Sequence, residues 1–92
     1  MIITVDQAKE WLRVDGTDND AIIESLINAT TEYIEVATGL TETEQTKSKL
    51  AITVAKFLLT LWYNPEQAES EKLQRTIDNL LKSLNAIKNT SN

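Results

Sequence analysis

Between Lys49 and Tyr63 the sequence KLAITVAKFLLTLWY is apolar on nearly every side of a helix. At 100° per residue, Lys49, Thr53, Lys56, Thr60 and Tyr63 share one narrow stripe, and Leu50, Ile52, Val54, Phe57, Leu58, Leu61 and Trp62 cover the rest with the alanines. A strand would alternate with period two, and this segment does not. It is also shorter than the ~20 apolar residues of a membrane span and carries Lys56 near its middle, so a central core helix is predicted rather than a transmembrane one. So wide an apolar face leaves room for contact with another subunit.

The other elements arrange themselves around that helix. Thr4-Val5-Asp6-Gln7 fits a capping box and opens a first helix over 4–13, with Ala8, Trp11 and Leu12 on one face. It is too short to stand alone and is expected to dock through Trp11. The turn residues 15–19 lead into a second helix over 19–38, stopped by Gly39. One half of its wheel carries Ile22, Ile23, Leu26, Ile27, Ala29, Tyr33, Ile34, Val36 and Ala37, and the other carries Asp20, Glu24, Asn28, Thr31, Glu32 and Glu35.

Thr41 to Glu44 offers a second capping box at the head of a helix predicted over 43–63, ended by Asn64-Pro65. Residues 66–71 read as a polar loop. A last helix over 70–88 sets Leu73, Ile77, Leu80, Leu84 and Ile87 in a narrow seam, followed by a polar, disordered tail over 89–92. The expected fold is a single all-α domain, a bundle of three to four helices, with Trp11, Leu26, Ile34, Val54, Phe57, Leu58 and Leu61 in its core.

Composition narrows the chemistry. The 92 residues include no cysteine and no histidine, which removes disulfides, thiolate metal sites and the commonest general base. Two glycines leave little for a phosphate-cradling loop. The acidic cluster after Asp15 does not form a calcium loop, because Asp20 stands where the loop needs glycine and Leu26 where it needs the bidentate glutamate. Glu24, Glu32 and Glu35 could be mistaken for paired catalytic carboxylates, but nothing on their face would desolvate them. No enzymatic activity, cofactor or metal is expected. No targeting or membrane segment is read, which points to an intracellular or assembled soluble protein.

Charge is divided unevenly along the chain. Residues 1–46 carry ten carboxylates and two basic groups, a net −8, whereas residues 47–92 carry seven basic groups and four carboxylates, a net +3. The acidic half is unsuited to duplex DNA, which needs clustered Lys or Arg. It is either a solvated face or one that meets a basic surface on a copy of itself or a partner. The candidate subunit contacts are Glu24, Glu32 and Glu35 against Lys47, Lys49 and Lys56, with Trp62 and Tyr63 as apolar members.

The chain also resembles the bacteriophage head-tail connector proteins, described in some members as DNA-packaging proteins. The resemblance lies in Ala8, Leu12-Arg13-Val14 and Asp15, in Asp20, Ile23, Leu26-Ile27 and Ala29, in Tyr33-Ile34 with Thr38-Gly39, and in Ala51 to Asn64 ending in Trp62-Tyr63-Asn64. It covers residues 1 to about 66, beyond which Pro65-Glu66 replaces the family's Arg-Glu pair and the terminal helix is longer. The resemblance implies a structural protein of the virion neck, made in the host cytoplasm. It would form a homo-oligomeric ring matched to a twelvefold portal, meeting the portal protein on one side and a neck or tail protein on the other. DNA would be passing cargo, and no membrane would be involved. An alternative from a different class is a small helical module, of regulator or antitoxin type, that covers another protein. A helix-turn-helix reading would rest on Lys72, Arg75, Lys82 and Lys88 of the last helix, which Asp78 and the overall charge oppose.

Overall fold

A computed structural model describes residues 1–66 and 69–90. Gln67 and Ala68 of the expected polar loop, and Ser91 and Asn92 of the expected tail, lie outside the described residues. The chain is all-helical among the described residues, with helices α1 (Val5–Leu12), α2 (Asp20–Thr38), α3 (Glu42–Thr46), α4 (Lys49–Tyr63) and α5 (Ser70–Thr90). That is five helices, where three or four were expected.

The added helix comes from a break at Lys47–Ser48 in the helix predicted over 43–63. Two contacts account for it. Gln45 is buried, and its side-chain amide donates to the carbonyls of Thr31 (3.0 Å) and Leu40 (2.9 Å), which pins α3 beneath α2. Ser48 then adopts an extended backbone (φ −108, ψ 112) and caps a fresh start by accepting from the Ala51 N–H. The capping box at Thr41 and Glu44 is present, but it opens α3 rather than the central helix. At the other end, α5 continues through Thr90 into residues expected as tail, where neither Gly nor Pro is present to stop it.

Helix α4 contacts each of the other four helices among the described residues. Ala51 and Ala55 give its buried side a small profile that lets neighbours approach closely, and Val54, Leu58 and Leu59 fill the space between. Ile23, Ile27 and Ile34 of α2 and Ile77 and Leu84 of α5 complete that core. Thr30 and Thr38 are buried with them at little cost, since their hydroxyls donate to the carbonyls of Ile27 and Ile34 at 2.7 Å.

The thin dimension of the molecule is 18 Å, about two layers of helices packed 8–10 Å apart. In a two-layer slab each helix keeps an outward face. Of the expected core, Ile34, Val54 and Leu58 are buried and Leu26, Phe57 and Leu61 pack half-buried against it. Trp11 does not belong to it. It is 43% exposed, because α1 docks on the polar stripe of α4 instead of its apolar side. There the indole N–H is shared between the Lys56 carbonyl (3.1 Å) and the Thr60 hydroxyl (2.9 Å), and the ring lies tilted beside Phe57.

Candidate functional site

No cluster of three or more Asp or Glu side chains able to hold a metal ion occurs among the described residues, and no helix there is long and apolar enough to cross a membrane. What distinguishes the molecule is its surface. Helix α2 is divided lengthwise into three sectors. Ile23, Ile27, Thr30, Ile34 and Thr38 face inward. Glu24, Asn28, Glu32 and Glu35 occupy the next sector, exposed. Ile22, Ala29, Tyr33 and Val36 form an outer ridge within about 60° of one another, also exposed, with Ile22 at 58% and Val36 at 83%.

The ridge and the acidic sector meet in a shallow groove of about 370 Å³ lined by Asn28, Thr31, Glu32, Glu35, Val36 and Glu42. The Met1 amino group lies 2.9 Å from Glu42. Glu24, Glu32 and Glu35 have no ion pair within the described residues. The sequence-level candidates are therefore placed on one outward face, and the basic candidates are placed elsewhere.

Lys47 and Lys49 are exposed on either side of the Ser48 break, also without an ion pair among the described residues. Lys56 is half-buried with its ammonium 5.4 Å from the centre of the Trp11 ring, a cation–π contact. Beside it lies a cleft of about 600 Å³ between the N-terminal segment, α1 and α4, lined by Ile2, Ile3, Gln7, Glu10, Trp11, Arg13, Ile52 and Lys56. Arg13 is held in the left-handed region (φ 59) as the cap of α1, a conformation uncommon outside glycine and asparagine.

The two aromatic candidates take part in the chain's own packing. Trp62 meets Tyr33 edge to face at 5.7 Å, so it joins the end of α4 to the outer ridge of α2. The Tyr63 hydroxyl accepts from the Asn19 side-chain amide at 2.8 Å. Asn19 stands at the N-cap of α2 but makes no side-chain cap bond there. The salt bridge of Lys9 to Asp20 (2.9 Å) ties α1 to the first turn of α2.

Two of the cations that a DNA-reading helix would need are engaged inside the chain. Lys88 pairs with Glu44 at 2.8 Å, and Lys72 lies 3.9 Å from Glu69. Glu44 is held below the ordinary glutamate pKa, first by the hydrogen bond from Lys88 and then by the Thr41 backbone N–H of the capping box. Sequence reasoning missed the buried Gln45 and the outer ridge. A glutamine three residues before the Ser48 cap was the only local signal for the first.

The sequence model of the phage gp6-like head-tail connector protein family matches residues 2–90. The chain belongs to that family. The match extends beyond residue 66, where the resemblance read from individual residues ended, so α5 is part of the family's domain as well. Comparison with curated proteins and with solved structures gives no match.

Proposed function

We propose that this connector-family chain is a structural subunit of the virion neck, closing into a ring between portal and tail through which the packaged DNA passes. The family match over residues 2–90 carries the reading. It is supported by the exposed acidic face of α2, whose Glu24, Glu32 and Glu35 have no ion pair among the described residues. In a ring every subunit offers one face to a neighbour and a different face to the next, and a molecule with separate acidic and basic surfaces suits that arrangement.

In this reading Glu24, Glu32 and Glu35 meet Lys47, Lys49 or Lys56 of the adjacent copy, and Trp62 and Tyr63 brace the end of α4 behind the contact. Two standard faces of ~800 Å² each would use roughly a quarter of the 5938 Å² surface. The isolated chain is accordingly expected to be a monomer or weak oligomer that assembles when concentrated or offered its portal, in register with a twelvefold symmetry. Electron microscopy of the protein mixed with portal should show an added ring. A complex with a single copy per portal assembly would be incompatible with this function.

A further inference from the structure

We infer that the outer ridge of α2 seats in the Trp11 cleft of a second copy of this chain. The inference rests on the ring reading for its need of a neighbour, and it names the two faces that meet. On the ridge, Ile22 and Val36 expose most of their surface, and Val36 lines a groove together with Glu32 and Glu35. Large aliphatic side chains left in water beside unpaired carboxylates describe a surface that wants an apolar floor and a cationic rim.

The cleft has that character. Trp11 and Ile52 supply the floor, and Arg13 and Lys56 stand on its walls. Lys49 lies on the same stripe of α4 as Lys56, about 10 Å along the axis. Arg13, Lys49 and Lys56 have no carboxylate partner within the described residues, matching Glu24, Glu32 and Glu35 in number and opposing them in sign. Glu10 is the one carboxylate lining the cleft, and it leaves the balance there positive.

Trp11 is exposed for the same reason that the cleft exists. Its N–H is satisfied by α4, Lys56 lies over the ring and Phe57 beside it, so the indole is held rigidly and the part that stays exposed is presented as an aromatic platform. Aromatic anchors of this kind, with Arg beside them, dominate contact energies. Ridge and cleft are different surfaces, so the contact is heterologous and repeats from copy to copy.

The chain has no cysteine, which allows a clean test on the full-length protein. Val36→Cys and Glu10→Cys variants, mixed at concentrations where the wild type self-associates and treated with a short bismaleimide, should give a mixed cross-linked dimer. Neither variant alone should give one. Val36→Asp, at a position too exposed to disturb folding, should weaken self-association at least tenfold with an unchanged melt.

Cross-linking of Val36→Cys with itself would mean a two-fold contact and overturn the assignment. Rings that form with portal while Val36→Cys and Glu10→Cys never join would overturn it and leave the ring reading standing, the ridge then belonging to the portal or to solvent. A chain that neither self-associates nor adds a ring to portal would overturn both. Val36→Asp without effect on association would overturn the ridge alone.

Discussion

Ile27 and Val36 stand on the same helix, yet Ile27 is completely buried and Val36 keeps 83% of its surface in water. The two sides of α2 are built from the same kinds of residue and differ in what lies opposite them. The inner side meets α4 and α5, whereas on the outer side Tyr33 meets Trp62 edge to face and Ile22 and Val36 are left largely in water. Hydropathy alone cannot separate these cases, because it measures what a side chain would gain by burial and not whether a neighbour is present. The proposed contact with a second copy would cover that ridge.

The largest expected effect tests the difference directly. Ile27→Ala should cost about 2–5 kcal/mol, from lost transfer energy and the cavity left behind, and in a domain this small that removes much of the stability. Leu58→Ala on α4 belongs to the same class. Val36→Ala should fall within about 0.5 kcal/mol of wild type. Thermal or urea melts of the three variants would break the comparison if Val36→Ala proved as damaging as Ile27→Ala.

A smaller effect separates Trp11 from a core aromatic. Trp11→Phe keeps most of the ring and removes the N–H shared by Lys56 and Thr60, so it should cost about 1 kcal/mol. A melt indistinguishable from wild type would show that water serves those acceptors equally well. The ring would then be held by Phe57 and Lys56 alone.

What could be read in the sequence follows the range of the interactions involved. Both capping boxes were legible because each closes within three residues, Thr4 with Gln7 and Thr41 with Glu44. Gly39 was legible for the same reason, as a left-handed stop (φ 80) donating back to Glu35. The break at Ser48 was not, since it depends on Gln45 reaching the backbone of Thr31, 14 positions away. The exposure of Trp11 depends on which side of α4 receives α1, a choice made by Thr60 and the Lys56 carbonyl across 49 and 45 positions. Of the candidate site, the charge division was visible in composition, and the three carboxylates do share a face. They form no ion pair within the described residues, and the lysines proposed to meet them are those of another copy.

The acidic sector offers the next test. Glu32→Lys together with Glu35→Lys should weaken assembly followed by light scattering and leave the monomer folded. Each exposed pair contributes only about 0.2–1 kcal/mol, so single reversals should be nearly silent. Raised salt should act on the wild type in the same direction. Lys49→Glu with Lys56→Glu should partly restore the double reversal. Indifference to salt and to both reversals would make the sector a solvated or channel-facing surface and leave only the apolar ridge for contact.

The smallest effect concerns a carboxylate that, unlike those of the acidic sector, is satisfied within its own chain. Glu44 receives Lys88 from the end of α5 and the Thr41 N–H, and these hold its pKa below that of the unfolded chain. A carboxylate depressed on folding binds its proton more weakly in the native state, so its contribution is fully present above the ordinary glutamate pKa. It fades as pH falls through the lowered native value, where the proton displaces the pair. Lys88→Gln removes the first of the two causes, so the Glu44 pKa followed by NMR should move up toward the ordinary range. The stability gap between variant and wild type should be widest near neutrality and close in acid. A gap that stays constant into acid would place the value of Lys88 in the packing of its aliphatic stem against α3 and not in its charge.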